Sequence, residues 1–170
     1  ATTTPFCFGE FKLFAGQNSY SLSEANITNY FEGLRSDFEL AFYGMYFLEL
    51  ADYYTRENND ERQMLKLLYQ SLKALSAPSI PNSLIKCIFE LKAIVINGEY
   101  PGVPQDMTLE QSSVYALSYI EASSIEKLYT FNVNNRVLEE LQIVADRYRK
   151  RFMDHNFKSL EILQNCRLKN

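Results

Sequence analysis

The sequence predicts an all-α protein, a bundle of about six to eight helices preceded by a short β-hairpin. Two observations carry that class. Apolar residues recur at helical spacing from residue 23 to the C-terminus, with N-caps, prolines and glycines punctuating the pattern. Only residues 5–22 depart from it, being rich in aromatics and turn formers. With 170 residues and 46% apolar content, the chain can bury one full core.

In the first segment Phe6, Phe8, Phe11, Leu13 and Phe14 crowd together, Ala15-Gly16-Gln17-Asn18 supplies a turn, and Tyr20 and Leu22 follow. This is a hairpin pattern, and a lone hairpin is barely stable in water. The strands are therefore expected to pack on the helices or on further sheet, so the chain reads as one that begins late in a β domain.

Ser21-Leu22-Ser23-Glu24 has capping-box spacing, and Ile27, Tyr30, Phe31 and Leu34 then fall on one helical face. Ser36-Asp37 opens the next helix, where Phe38, Ala41, Phe42, Met45, Tyr46, Leu48 and Leu50 cover more than half the circumference, as expected in the middle of a bundle. The polar run Arg56 to Asp60 supplies another N-cap. Met64, Leu65, Leu67, Leu68, Leu72 and Leu75 mark a third helix, ended by Pro78. A fourth begins near Ser79-Ile80-Pro81 and carries Leu84, Ile88, Leu91 and Val95 to Asn97-Gly98, a C-cap, with Pro101 blocking re-entry.

Residues 99–107 form the one clear linker. Thr108-Leu109-Glu110-Gln111 is a second capping box, leading into Val114, Leu117 and Ile120, and Ser123-Ser124-Ile125-Glu126 starts a short helix around Leu128. Val137, Leu141, Val144, Ala145, Tyr148 and Phe152 trace a long helix from about Asn134 to His155, and Leu160 and Leu163 continue in a terminal one.

Chemistry is sparse. Cys7, Cys87 and Cys166 lie far apart, which argues against a disulfide framework or zinc cage and suits a reducing cytoplasm; each thiol is expected to be a small buried hydrophobe. No apolar run approaches the ~20 residues of a membrane span, and no basic segment followed by an apolar stretch opens the chain. His155 sits in a basic run without a nucleophile motif and reads as a surface residue. The carboxylate pairs Glu49/Asp52 and Glu139/Glu140 read as solvated helix faces. No phosphate cradle, metal-cage or calcium-loop spacing occurs, so neither catalysis nor a cofactor is expected.

Charge is uneven. Residues 1–146 carry 10 Lys/Arg against 19 Asp/Glu, a balance of −9, while residues 147–170 carry 7 against 2, a balance of +5, giving the net −4. Fields act within a screening length of about 8 Å, so the basic end can attract an anionic partner although the whole chain is acidic. Arg147, Arg149, Lys150 and Arg151 form that basic run; they equally suit the C-terminal end of a helix dipole. From the residues alone, the chain is a helical interaction domain.

A family resemblance adds to this. The helix Phe89-Glu90-Leu91 ending in Gly98-Glu99-Tyr100-Pro101, the upstream Phe31-x-x-Leu34-Arg35-Ser36-Asp37 and Tyr43-x-x-Tyr46-x-x-Glu49-Leu50, and the closing Phe157-Lys158-Ser159-Leu160-Glu161-Ile162-Leu163 resemble the C-terminal helical domain of the RecO family of bacterial recombination mediators. Pro5-Phe6 through Leu22 is similar to the last strands of that family's oligonucleotide-binding (OB) barrel. The resemblance implies two parts, a barrel remnant at 1–22 and a helical domain at 23–170. The four-cysteine zinc module that many relatives carry after the Gly-x-x-Pro exit is absent, since Pro104-Gln105-Asp106 runs directly into the next capping box.

It also implies a non-enzymatic, cytoplasmic, nucleoid-associated bacterial protein acting in the RecF pathway. Such a protein binds single- and double-stranded DNA, anneals strands, and cooperates with RecR in loading recombinase onto strands coated by single-strand-binding protein. By analogy, the acidic, Phe-terminated tail of single-strand-binding protein is expected in a groove near Lys86, with Leu84, Ile88 and Lys92 as neighbours. DNA is expected on Arg147, Arg149, Lys150, Arg151 and Lys158. The alternative is a helical scaffolding domain without a nucleic-acid role.

Overall fold

The computed structural model describes residues 4–167, which form one β-hairpin, seven α-helices and a 3-10 turn. The basic residue Lys169, counted above, lies outside the described residues.

Strands β1 (Phe8–Ala15) and β2 (Tyr20–Asn29) pair antiparallel, and the turn between them closes through Gly16 N–H donating to Ser19 O at 2.8 Å. The register gives the ribbon two unlike faces. Gly9, Phe11, Leu13 and Ala15 pair with Ile27, Ala25, Leu22 and Tyr20, whereas Glu10, Lys12 and Phe14 pair with Asn26, Glu24 and Ser21. Side chains directly opposite in an antiparallel pair share a face, so the first set makes an apolar face. Phe11, Leu13, Tyr20 and Leu22 are nonetheless all exposed.

The helix expected from Ser21 does not form, because β2 runs on to Asn29. Ser23 and Thr28, whose hydroxyls could have capped a helix, donate instead across the hairpin to Lys12 O (3.0 Å) and Phe8 O (3.1 Å). Ile27 and Thr28 are β-branched and suit a strand, and the i, i+7 spacing of Ile27 and Leu34 is coincidental. The chain reverses at Phe31, held at φ 44° with its N–H donating to Asn29 Oδ1 at 2.9 Å. Only the short α1 (Glu32–Ser36) follows. Phe6 anchors the base of the hairpin against Gly44, where a Cβ would lie 2.6 Å from the Phe6 ring, and Phe8 and Phe31 flank Tyr69.

Helix α2 (Phe38–Tyr54) starts as expected, with the Asp37 carboxylate accepting from Leu40 N–H at 2.9 Å. Its buried face is Tyr43, Tyr46, Phe47 and Leu50, while Phe38 and Met45 remain exposed. The centre of the bundle is instead α4 (Asn82–Ile96), buried from Leu84 to Ile94 except at Lys86, with Phe89 stacked on Phe47 at 4.2 Å. It packs against α2, α3 (Arg62–Leu75), α5 (Gln111–Ala122) and α6 (Asn135–Phe152). At its end, Gly98 N–H donates to Val95 O and Glu99 N–H to Ile94 O, with Gly98 at φ 76°. That is a Schellman cap, and it requires a glycine-like conformation. Asn134 caps α6 through Val137 N–H, and α7 (Lys158–Arg167) closes the bundle against α2.

Two expected surface carboxylates cap helices they do not belong to. Glu49 of α2 accepts from Lys158 and Ser159 N–H at 3.0 and 3.1 Å, at the start of α7. Glu140 of α6 accepts from Glu110 N–H at 2.9 Å, so α5 begins at Gln111, later than the Thr108 box suggested. Carboxylates at helix N-termini complete unpaired N–H groups and favour the dipole. Of the cysteines, Cys87 is buried as expected, whereas Cys166 is exposed.

Burial pushes the phenols of Tyr46, Tyr100 and Tyr129 above their ordinary value. A group with a raised folded pKa stabilises fully below its unfolded value, and that stability is lost as pH rises further. The fold is therefore expected to weaken above about pH 10, where unfolded tyrosines ionise. Absorbance at 295 nm should then rise together with loss of helical circular dichroism. Ionisation of every tyrosine without loss of helix would contradict it.

Candidate interaction groove and basic face

The chemically richest place in the molecule lies where α2, α4 and α6 meet beneath α7. At its base is Glu90, with a side chain fully shielded from solvent. Tyr46 O–H donates to Glu90 Oε1 at 2.5 Å, and Lys86, one turn earlier on α4, donates to Oε2 at 3.0 Å. Arg149 of α6 brings its Nε to 3.6 Å from Oε1. Asp146 pairs with Arg149 and, at 2.7 Å, with Lys150. A shielded carboxylate persists only when it is paired and hydrogen-bonded, and here three elements converge to do so. Burial first, and then the charge of Glu90, push the Tyr46 phenol well up and keep it a donor. Asp146 behaves oppositely. Partial burial raises its pKa, but hydrogen bonds from Lys150 and Arg149 outweigh this and lower it.

Above this network two adjoining hollows of about 300 and 250 Å3 share Asp146, Leu160 and Gln164. Arg149, Lys150 and Phe157 line one; Tyr43, Lys86 and Leu163 line the other. Together they form a groove lined by apolar and polar side chains, with three cations, Lys86, Arg149 and Lys150, against the carboxylates of Asp146 and Glu161. Arg149 Nε is a buried N–H without a hydrogen-bond acceptor.

Of the residues expected near this groove, only Lys86 lies in it. Leu84 and Ile88 are fully buried in the core and cannot line an open surface. Lys92 points to the other side of α4, where its ammonium donates to Ile120 O, Glu121 O and Ser123 O at 3.0, 2.8 and 2.8 Å, closing the C-terminal end of α5. Burial lowers its pKa, with Glu121 partly opposing.

The basic run also divides. Arg149 is buried in the network. Arg147 forms a two-pronged pair with Asp106 at 3.0 and 2.7 Å, and Tyr148 O–H donates to Gly102 O at 2.8 Å, so both strap the 99–107 linker to α6. Arg151, over the Phe152 ring, and Lys158 are exposed and make no ion pair among the described residues. His155 is exposed beside Tyr53 and Phe157.

Glu90 and Tyr46 fall in the motifs that carry the family resemblance, but neither they nor Asp146 are expected from the sequence as site residues. Glu90 had a signal: an acid inside Cys87-Ile88-Phe89-Glu90-Leu91-Lys92-Ala93-Ile94 must find partners if the helix is central. Its partners, from α2 and α6, had none.

Among the described residues, no helix is long and apolar enough to cross a membrane. Residues 35–107 match the family model described as Recombination protein O C terminal. The chain is similar to the DNA repair protein RecO of Clostridium novyi, 26% identical over 192 residues that cover 95% of this chain and 75% of that protein. It is also similar to the DNA repair protein RecO of Acetivibrio thermocellus, 24% identical with 96% and 78% covered, and of Alkaliphilus metalliredigens, 25% identical with 95% and 79% covered. No solved structure gives a significant match.

Proposed function

We propose, on the premise that this chain resembles the RecO proteins along nearly its whole length and carries their C-terminal domain at residues 35–107, that it takes part in DNA repair as a non-enzymatic recombination mediator. In this reading it binds DNA and the tail of single-strand-binding protein, and works with RecR in strand annealing and recombinase loading. The observation that carries the reading is the groove between α4, α6 and α7. An acidic peptide ending in Phe presents a ring and a terminal carboxylate. The edges of Leu160 and Leu163, each 5% exposed at the groove floor, offer the ring an apolar contact, and Lys86 and Lys150, with Arg149 beneath them facing Glu90, offer the carboxylate cationic donors.

DNA is assigned to Arg151 and Lys158, the exposed unpaired cations of the basic run. The hairpin fits the end of an OB barrel, because the apolar face of Phe11, Leu13, Leu22 and Ala25 is what further strands would cover. In this reading the barrel part extends to the end of β2 at Asn29, beyond the expected Leu22.

Fluorescence anisotropy of the whole chain tests both contacts. A labelled acidic peptide ending in Phe should bind, and Lys86→Glu should weaken it at least about tenfold. Lys150→Glu, at an exposed position apart from the Glu90 pairing, should do the same without affecting the fold. With a single-stranded oligonucleotide, the paired change Arg151→Ala and Lys158→Ala should reduce the salt dependence by about 0.7 per lost phosphate contact. Unchanged peptide binding in both glutamate variants removes the groove, and an unchanged salt slope removes the basic face.

A further inference from the structure

A second cleft, of about 680 Å3, lies between α5, residues 130–134 and the start of α6, away from the groove and the basic face. Tyr115 and Tyr119, one turn apart on α5, stack at 6.5 Å with an interplanar angle of 24°, and Phe131 stands edge-on to Tyr119 at 5.3 Å. The Tyr119 hydroxyl donates to Lys127 O at 3.1 Å, which fixes that ring, while Tyr115 is 72% exposed. No charged side chain lines the cleft.

Its two asparagines present donors. Asn132 Oδ1 accepts from Val133 N–H and Asn134 Oδ1 from Val137 N–H, both at 2.9 Å, so in each amide these bonds use the oxygen and leave over the Nδ2 donor. Gln111 adds a third amide, and the Tyr115 hydroxyl has no partner among the described residues. An occupant that matches is uncharged, offers carbonyl acceptors to the Asn132 and Asn134 amides, and carries flat apolar surfaces for the aromatic rings. A nucleic-acid strand fits poorly, because its phosphates would find no cation in the lining.

We propose that this cleft binds a proline-rich segment in the extended polyproline conformation, whose tertiary amides accept hydrogen bonds but cannot donate them and whose rings pack on aromatics. The site is independent of the groove between α4, α6 and α7. Calorimetric titration of the whole chain with an acetylated, amidated decaproline peptide tests it, with a glycine-serine peptide of equal length and a thymidine oligonucleotide as comparison probes.

Decaproline should bind and the glycine-serine peptide should not. Tyr115→Ala should weaken decaproline about tenfold without lowering stability, since the ring is mostly in solvent. Asn132→Asp should weaken it too, because the carboxylate still accepts from Val133 N–H but removes the donor. Absence of decaproline binding overturns the proposal. So does affinity unchanged in both variants, or oligonucleotide binding that Tyr115→Ala abolishes while decaproline stays unbound.

Discussion

Replacing Glu90 by alanine is expected to lower the unfolding free energy by about 3–5 kcal/mol, the usual consequence of removing one partner from a buried charge network. The carboxylate is fully shielded, and it receives Tyr46 O–H and Lys86 Nζ while facing Arg149 Nε. Without it, Arg149 and Lys86 are two cations with only Asp146 to answer them, and the Tyr46 hydroxyl is a buried donor with no acceptor. The variant should unfold in urea at a lower midpoint with an unchanged slope. Glu90→Gln should also be destabilised, since an amide keeps the shape but not the charge. A Glu90→Ala protein as stable as the parent would show that water or side-chain movement satisfies these groups, and that the network does not organise the groove floor.

Lys92→Ala is expected to cost about 1.5–3 kcal/mol, the range for hydrogen bonds made by a charged donor. The ammonium closes three carbonyls at the end of α5, and its stem lies buried on α4. Lys92→Met keeps the stem, so the difference between the two variants separates packing from hydrogen bonding. Hydrogen exchange should accelerate around residues 120–124 in both variants, because the last turn of α5 loses its only side-chain closure among the described residues. If exchange there is unchanged, the carbonyls are satisfied by solvent and Lys92 has no structural role.

Lys92 shows where sequence reading runs out. A lysine on a largely apolar helix is compatible with solvent, with a groove, or with a neighbour's C-terminus, and periodicity cannot choose among these. The same holds for Glu49 and Glu140. Their spacing suits a solvated face, yet each closes the N-terminus of a helix far away in sequence. The expected helix at Ser21–Leu34 fails for a different reason. Local capping signals were real, but backbone pairing with β1 offered those hydroxyls and that β-branched pair a non-local use.

Signals that depend on neighbours in sequence came through intact. The Asp37 and Asn134 caps, the Gly98 stop, the 99–107 linker and the stripe from Val137 to Phe152 are all present within a residue or a few. Each is set by the conformational limits of a single residue or by a repeat matched to 3.6 residues per turn. The sequence by itself thus determined the helical class, most helix ends and the uneven charge. Tertiary structure alone decided which helix lies at the centre, and which cations are spent on Glu90, Asp106 and Asp146 and which remain free. Pairing of charges depends on distance in space, and Arg149 meets Glu90, and Arg147 meets Asp106, only because the fold brings together residues dozens of positions apart.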